Sequence, residues 1–515
     1  MEISADGLAS GRVGAASIAF LGLAATAPIV TLVTVVPAVL TGGAGPLVPW
    51  SFAAAGLLLL LFCTGQAALI RRFPSAGAAG TQVAHGLGRP GGLAAAWLAI
   101  AGYHAIQFGL YALAGLAAAP LLSGFFGVTA PWWAVAAVCW AIVAICGTMR
   151  IEVAAAVIGL FAVAQAAVLA GLGAANVLQP AGGRVAAGSI LIGDTPVLGR
   201  PALGLLLVTA VLAYAGFEST GTYAEEGFQP RRSAGFAGYG VVVLVTLLLG
   251  GFSWSMIVAA GPDGVAAAAV RGPELIFDLA TDRLAPWAVT LGRFMLLTGV
   301  LAAILALHVA ITRHLYALGR ERVLPAVLGR IRRRTAAPRA ASVTQSLIAG
   351  ATLAGAHAAG AAPGPRTARW LITGGALSIL VLLLLVAVAA LLRLNRVPGR
   401  EGPWGRFAAP VLSTVSLASV AFLAFRDLPA LLDLPAGYPL VKAIPAAIAA
   451  CVALAVVHAL LLRRFRPVIY AGIGLAGTPV VVTPPPPPAD PKIPRQRDPG
   501  AHRPERVTQR SPGPE

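Results

Sequence analysis

One stretch of the sequence decides how this chain folds: YAGFESTGTYAEEGFQPRR, residues 214–232. It follows the apolar run LGLLLVTAVLA, which is suited to lipid or to a deep protein core. Glu218 stands four residues after Tyr214, and an ionisable residue at the centre of a membrane helix costs about 2.5 kcal/mol or more and usually faces a cavity or a partner. Because Gly216 and the polar residues after Glu218 make a poor helix interior, the stretch predicts a membrane helix that unwinds near Gly216.

The composition places the chain in a membrane. Of its 515 residues, 58% are hydrophobic and 11% are charged, and the mean hydropathy is +0.84. A soluble domain carries roughly 25% charged residues, so we expect an integral membrane protein. The formal net charge is +18, but the arginines lie between apolar runs, where they set topology. A nucleic-acid partner is therefore not expected.

Apolar runs long enough to cross a bilayer recur along the chain, since a helix needs about 20 mostly apolar residues to do so. Twelve transmembrane helices are predicted, and nearly all contain a Gly, a Pro or a lone polar residue of the kind found where membrane helices pack together. The twelve predicted spans are residues 16–40, 47–70, 93–122, 131–147, 151–178, 203–222, 236–260, 286–317, 340–361, 370–393, 408–426 and 441–463.

The placement of the arginines predicts how the chain is oriented in the membrane. Alternate loops hold most of the arginines, whereas the loops TGGAG and SGFFGVTAP between them have none. The positive-inside rule therefore places both termini in the cytoplasm of a multi-pass protein of the plasma membrane. Residues 1–15 form the predicted N-terminus and 16–465 the transmembrane domain. Residues 466–515 form a tail that is rich in Pro and Arg and is predicted to be disordered.

A second interruption is predicted in the first span, within LGLAATAPIVTLVTVVP. Pro28 removes a backbone hydrogen bond and frees a carbonyl near Ala24, and Thr26 adds a hydroxyl beside it. Taken alone, Pro28 can simply kink a helix, and Gly216 can simply let two helices approach. Transporters built from inverted repeats, however, place the substrate where helices are broken at matching positions in the two halves. The first and sixth spans match in this way, which predicts a substrate site between them.

Several motifs, in the same order and spacing, resemble the amino acid–polyamine–organocation (APC) superfamily of permeases. The stretch at 214–232 resembles its sixth-helix signature. RRFPSAGAAGTQVAHGLGRPGG resembles the loop after helix 2, and HVAITRHLYALGRERVLPAVLGRI resembles the end of helix 8. GLAATAPIV and AGYHAIQFGLYALAG resemble helices 1 and 3 of an actinobacterial-type subgroup. The resemblance covers about residues 10–465.

The resemblance implies a LeuT-like fold with discontinuous helices 1 and 6. Ten helices form two inverted repeats, about residues 16–178 and 203–393, and two further helices follow at about 408–463. The substrate is held between helices 1, 3, 6 and 8, where helix ends favour its charged groups. Carried over to this sequence, the site is lined by Ala25, Thr26, Ala27 and Pro28 on one side and by Tyr214, Ala215, Gly216 and Phe217 on the other.

Other polar residues are candidates for supporting roles. Tyr103 and Gln107 lie four apart on span 3 and can face the cavity together, and His308 lies on span 8, which flanks the site in the family. Glu218 is the candidate for proton coupling because a conformational change can alter its solvation; alternatively, it braces the broken helix by accepting backbone hydrogen bonds. The candidates for a cytoplasmic gate, as ion pairs or merely as solvated surface groups, are Glu225, Glu226, Arg231 and Arg320.

These features predict a secondary transporter that moves an amino acid or a related small amine by alternating access, coupled to protons or working as an exchanger. No GxxxxGK[ST] motif for ATP is present. No cofactor or metal is expected, since the four cysteines lie in apolar runs without metal-like spacing. A channel would need a continuous polar pore, and an enzyme would need a clustered acid–base or metal set. A non-transporting sensor or accessory subunit stays open as the alternative.

Overall fold

The chain is almost entirely helical over the residues that the computed structural model describes, which are 8, 10–191, 200–332, 336–361 and 364–476. Two isolated β-bridges are the only extended pairings found in these ranges. The predicted all-α class is therefore confirmed.

The α-helices are α1 (Ala15–Thr26), α2 (Pro28–Thr41), α3 (Leu47–Arg72), α4 (Ala78–Leu87), α5 (Arg89–Phe126), α6 (Trp132–Cys146), α7 (Ile151–Leu178), α8 (Arg200–Leu212), α9 (Ser233–Ala260), α10 (Val265–Ala269), α11 (Leu275–Thr281), α12 (Pro286–Arg320), α13 (Arg339–Ala358), α14 (Pro365–Arg396), α15 (Ala409–Arg426), α16 (Leu428–Leu432), α17 (Pro439–Phe465) and α18 (Pro467–Gly472). Short 3-10 helices lie at Ala181–Gly183, Ala187–Ser189, Phe217–Tyr223, Gly272–Glu274 and Ala326–Gly329, and a π-helical turn lies at Trp404–Ala408.

Ten helical segments within the described residues are long and apolar enough to cross a membrane. In this count α1 and α2 form one segment, and α8 forms one with the 3-10 helix that follows it. The predicted spans 131–147 and 340–361 are helical too, but they differ from these ten. The first, α6, has only 15 residues. The second, α13, is more polar, since it contains residues such as Ser342 and Gln345, which are buried in the protein interior.

The 38-residue helix α5 lies at the centre of the bundle, where it packs against α4, α6, α12, α14 and α17. Its crossing with α14 is close because Gly102 and Gly375 face each other: a Cβ at Gly375 would lie 2.6 Å from the Gly102 carbonyl oxygen. Lipid provides no hydrophobic driving force for the association of membrane helices. They associate through close packing instead, and small residues allow the backbones to approach closely. This tight pair supports the face of α5 that meets α12.

The first and last described segments lie at the same end of the bundle. Val13 forms a parallel β-bridge with Gly227. Nearby, Glu225 pairs with Arg320 at the end of α12, and the next residue, Glu321, accepts a hydrogen bond from the Gly474 amide at 3.0 Å. The residues before α1 and after α18 are thus tied to one cluster.

The composition-based prediction of disorder from residue 466 does not hold for residues 467–476. They form α18 and a segment that docks on Glu321, with Ile473 only 4% exposed. The segment is ordered because the amides of Gly474 and Ala476 find a buried carboxylate acceptor and the Ile473 side chain finds a covered position. The rest of the predicted tail, residues 477–515, lies outside the described residues, as do residues 1–7 and 9.

Candidate substrate site at two helix interruptions

The first interruption lies between α1 and α2, at Ala27. Pro28 has no N–H to donate back into α1, so the helical ladder stops at Thr26. Ala27 adopts the left-handed conformation, with φ 46° and ψ 58°, and its amide bonds to the Ala24 carbonyl at 3.0 Å. The Thr26 hydroxyl donates to the Leu23 carbonyl at 2.7 Å. These two bonds satisfy carbonyls of α1 that the missing helical bonds would otherwise leave free.

The second interruption follows α8. Residues 213–216 form turns rather than helix, and a 3-10 helix begins at Phe217. Gly216 has φ +114°, a conformation that is strained for any residue with a side chain. Its amide donates to Oε2 of Glu218 at 3.0 Å, so the carboxylate two residues downstream caps the turn.

The two interruptions touch each other. A Cβ placed on Gly216 would lie 2.6 Å from the Ala25 carbonyl oxygen and 3.1 Å from the Thr26 amide nitrogen. Only a glycine fits there, because both the backbone angle and the neighbouring peptide exclude a side chain. Two irregular backbone segments, far apart in sequence, therefore meet inside the bundle.

Glu218 connects this contact to α5. The side chain is 5% exposed, and the Tyr103 hydroxyl donates to its Oε1 at 2.8 Å. With the Gly216 amide on Oε2, each carboxylate oxygen has one donor. The Tyr103 ring also lies beside the His314 ring of α12, with 5.9 Å between the ring centroids. A buried carboxylate held in this way links α5, α12 and the second interruption.

Tyr214 and Phe217 point away from the first interruption. The Tyr214 hydroxyl donates to the Phe52 carbonyl at 2.8 Å and lies 2.9 Å from Oγ1 of Thr246. Phe217 packs edge-on against Phe62, with ring centroids 5.8 Å apart. Both side chains are fully buried against α3 and α9, while the small side chain of Ala215 between them is half-buried. They anchor the interruption to the neighbouring helices.

Gln107 and His308 belong to a polar network between α5, α12 and α13. The Gln107 side chain donates from Nε2 to the Ile304 carbonyl at 3.0 Å and accepts from Nε2 of Gln345 at 2.8 Å. Nε2 of His308 lies 3.0 Å from the Ser342 hydroxyl. The structure thus brings Ala25, Thr26, Gly216, Glu218 and Tyr103 together and places these two residues against other partners.

Two buried ion pairs lie where the second interruption ends. Glu225 meets Arg320 with Nη2–Oε1 and Nη1–Oε2 distances of 2.6 and 2.9 Å. Its neighbour Glu226 meets Arg313 with Nε–Oε2 and Nη2–Oε1 distances of 2.6 and 2.9 Å. We call these four residues the ion-pair cluster. Arg231, which was expected with them, lies on the exposed surface.

Sequence reasoning did not include Arg313 among the gate candidates, although it lies near the end of predicted span 286–317. A signal was present: Arg313 and Arg320 are seven positions apart, so they lie on one face of a helix. Two neighbouring glutamates in the facing loop match two arginines spaced by two helical turns.

The ion-pair cluster also holds the N-terminal segment and the loop after α3. The amides of Arg12 and Val13 donate to the Glu226 carbonyl at 2.8 and 3.2 Å, and the Ala76 amide donates to Oε1 of Glu225 at 2.8 Å. Three other parts of the chain thus converge on two adjacent glutamates, which closes this end of the bundle.

Ten helical segments among the described residues are long and apolar enough to cross a membrane, as in a multi-pass membrane transporter. The chain belongs to the amino acid permease family, whose sequence model matches residues 14–458. The resemblance to the APC superfamily is thereby confirmed, while the actinobacterial-type subgroup stays a prediction. No curated protein matches the chain.

Proposed function

We propose that the protein is a secondary active transporter that carries an amino acid or a related small amine across the plasma membrane by alternating access. The contact between the two interruptions carries this proposal: the Gly216 backbone lies against the Ala25–Thr26 peptide, and Glu218 caps the Gly216 amide. Broken helices inside a membrane bundle expose amides and carbonyls that can bind the charged ends of a small solute.

Two inverted repeats, residues 16–178 and 203–393, are the proposed frame of the site. The spacing of the interruptions supports this frame. Helix α1 has 12 residues before Ala27, and α8 has 13 before the turns at 213–216. At about 1.5 Å of rise per residue, the two breaks lie at similar depths from the starts of their helices.

In the proposed complex, the carbonyl end of α1 at Ala25 and Thr26 receives the ammonium group. The amide end of α2, beyond Ala27, receives the carboxylate. These assignments follow the partial charges of helix ends, negative at the C-terminus and positive at the N-terminus. A small amine without a carboxylate would use the first of these contacts alone.

The ion-pair cluster is the proposed cytoplasmic gate. Its four charges join α12 to the loop after the second interruption, and its backbone contacts reach the N-terminal segment. Opening towards the cytoplasm would separate these elements, so both termini are proposed to lie on the cytoplasmic side. Glu218 is the proposed proton-coupling group, because movement of Gly216 would change the donors to its carboxylate.

The function can be tested by ligand screening followed by transport. The purified protein is heated with each of the common L-amino acids and with polyamines, since a ligand present at 100 times its Kd adds about 2.7 kcal/mol to the free energy of unfolding. Compounds that raise the melting temperature are then radiolabelled and offered to proteoliposomes. Saturable uptake of one of them is the expected result.

Two leucine variants locate the site. Gly216→Leu should abolish both the thermal shift and uptake, because its side chain would collide with the Ala25 carbonyl. Gly251→Leu is the matched control, since no heavy atom lies within 4 Å of a Cβ at Gly251 on α9. An unchanged shift in Gly216→Leu would place the site elsewhere. A thermal shift without uptake in any condition would favour a sensor or accessory subunit.

A further inference from the structure

A line of polar groups leads from Glu218 towards the end of α12. Tyr103 donates to Glu218, and on its other side the Tyr103 ring lies beside His314. His314 is 2% exposed, and its Nδ1 has no hydrogen-bond partner among the described residues. Burying an imidazole nitrogen without a hydrogen bond costs free energy of folding. His314 is therefore a candidate for a role beyond stability.

A small cavity lies directly beyond His314. Its volume is about 10 Å³, close to the smallest space that holds one water molecule. Its polar side chains are His314 of α12, Glu321 directly after that helix and Thr81 of α4, and Ile473 and Gly474 also line it. His314 and Glu321 are seven positions apart and share one helix face. The cavity therefore connects a buried imidazole to a carboxylate at the helix end.

Glu321 is the first residue after α12, and it is suited to exchange protons with solvent. Its Oε1 accepts hydrogen bonds from the amides of Gly474 and Ala476 at 3.0 and 3.3 Å. Burial raises the pKa of Glu321 to about 7, and the charge of the neighbouring Arg320 only partly offsets this effect. Such a carboxyl group gains and loses a proton near neutral pH.

The charged groups around this line are already paired. Arg320 is bound by Glu225 and Arg313 by Glu226, so neither arginine neutralises Glu321 directly by a salt bridge. On the facing side, Arg89 of α5 donates to the Ala471 carbonyl and lies over the Tyr470 ring. His85 of α4 stacks on Phe73. His85 also bonds to the Gly474 backbone, so His314 and Glu321 are the two titratable side chains that line the cavity itself.

We propose that His314, one water in the cavity and Glu321 form a proton relay between the Tyr103–Glu218 pair and the end of α12. The inference rests on the proposed transport function and adds the route by which its protons leave.

Nδ1 of His314 has no hydrogen bond in this conformation within the part of the chain that the structure describes, so the relay begins with a rotation of the imidazole that brings Nδ1 to the Tyr103 hydroxyl. Glu218, when protonated, then passes its proton to the Tyr103 oxygen while the Tyr103 hydroxyl proton moves to Nδ1 of His314. The imidazolium then protonates the water, which delivers a proton to the Glu321 carboxylate. Each O–H or N–H bond that breaks is replaced by one that forms: Glu218 ends deprotonated and Glu321 protonated, while Tyr103 and the water are restored. His314 loses its Nε2 proton to the water and ends with its proton on Nδ1, so release of the Glu321 proton to solvent and a turn of the imidazole ring complete the cycle.

The test separates proton movement from substrate movement. Wild-type and variant proteins are reconstituted into proteoliposomes that contain a pH-sensitive dye. A mixture of radiolabelled L-amino acids serves as the probe. One assay measures exchange of labelled for unlabelled amino acids at equal pH on both sides. The other measures accumulation and internal acidification when a pH gradient is imposed.

The variants are His314→Gln and Glu321→Gln, which keep hydrogen-bonding capacity but cannot relay a proton. Both should exchange amino acids at the wild-type rate at equal pH. Gradient-driven accumulation should fall by about a hundredfold, in line with the loss of a positioned proton-transfer group. His104→Gln is the matched control, because this half-buried histidine follows Tyr103 on α5 but bonds to the Ile100 carbonyl one helical turn earlier; it should keep both activities.

Wild-type accumulation in both relay variants would overturn the relay. So would a wild-type protein that exchanges amino acids but ignores the pH gradient, although the transport function would then stand. A wild-type protein with neither activity would overturn the transport function itself. If His314→Gln does not fold, Glu321→Gln at the end of the helix carries the test alone, with the same two assays.

Discussion

Arg313 and Glu226 form a two-point ion pair that is almost completely shielded from solvent, with side chains 5% and 1% exposed. The neighbouring pair of Arg320 and Glu225 is more open, with 15% and 18% exposed. Both pairs join α12 to the loop after the second interruption. They have the same chemistry but different degrees of burial, so the two pairs should respond differently to mutation.

Arg313→Met should destabilise the protein by about 3–5 kcal/mol, because it leaves Glu226 as an uncompensated buried charge. Arg320→Met should have a smaller effect, since solvent can reach Glu225. Melting of the detergent-solubilised variants measures both changes. The double variant Arg313→Met/Glu226→Met should recover most of the loss. Equal melting temperatures for the two single variants would show that burial does not set the strength of these pairs.

Tyr103→Phe should lower the free energy of unfolding by about 1–3 kcal/mol, because Oε1 of Glu218 loses its donor in a buried site. The same helix offers a matched control. The Tyr111 hydroxyl is buried and has no hydrogen-bond partner among the described residues, so Tyr111→Phe should leave stability unchanged or raise it. Chemical unfolding monitored by tryptophan fluorescence compares the two. Equal losses would mean that the bond to Glu218 contributes nothing.

Tyr214→Phe should weaken the fold by about 1 kcal/mol without changing ligand binding. Its hydroxyl bonds to Phe52 and Thr246, on the side away from the first interruption. The measurement is the melting temperature with and without a ligand identified by the screen. If the ligand-induced shift disappears while the protein stays folded, Tyr214 contacts the substrate after all.

Docking of residues 473–476 on Glu321 should weaken as the pH rises. The pKa of Glu321 is raised from 4.5 to about 7 by burial, so the docked form binds a proton that the undocked form releases. Docking is therefore strongest below the pKa of the exposed carboxyl group and is lost as the pH rises through about 7. The charge of Arg320 offsets the effect of burial only in part and does not reverse the sign. His85, which bonds to the Gly474 backbone and whose pKa is lowered by burial, contributes an opposite and separate slope that the variant Glu321→Gln leaves in place.

A spin label on an Ala476→Cys variant, in a background without the native cysteines, measures this docking as a change in mobility between pH 5 and 9. The variant Glu321→Gln mimics the protonated carboxyl group and should keep the label immobile over the whole range. A label that becomes more mobile at acid pH would contradict the predicted sign.

Much of the architecture follows from local properties that can be read along the chain. Ten of the twelve predicted spans have the length and hydropathy of membrane helices, because the requirement for a continuous apolar run is local. The exceptions are informative. Helix α13 has buried polar residues such as Gln345, which bonds to Gln107 of α5. The hydrogen-bond partner of this polar side chain lies in another helix, so the local sequence pattern does not reveal it.

The direction of individual side chains was not predictable in the same way. Once a helix unwinds, its 3.6-residue periodicity no longer fixes where residues point, and Tyr214 and Phe217 face α3 and α9 rather than Ala25. Arg313 is a different case. The sequence suggests a loop for a charged residue near the end of a span, but Arg313 lies buried within α12, where Glu226 compensates its charge. Both outcomes depend on tertiary neighbours.

The left-handed residue at Ala27 has a mechanical consequence for the segment before it. Helix α1 is a rod of 12 residues, about 18 Å long at 1.5 Å per residue, and no regular helical ladder continues from it into α2. A swing of this rod about Ala27 would leave its own internal hydrogen bonds intact. It would break the bonds that join Arg12 and Val13 to Glu226 and Phe228, and it would disturb the packing of α1 against α7, α9 and α12. The hinge is thus built in advance. The hydrogen bonds that resist its movement lie at the far tip of the rod, whereas packing resists it along the whole length.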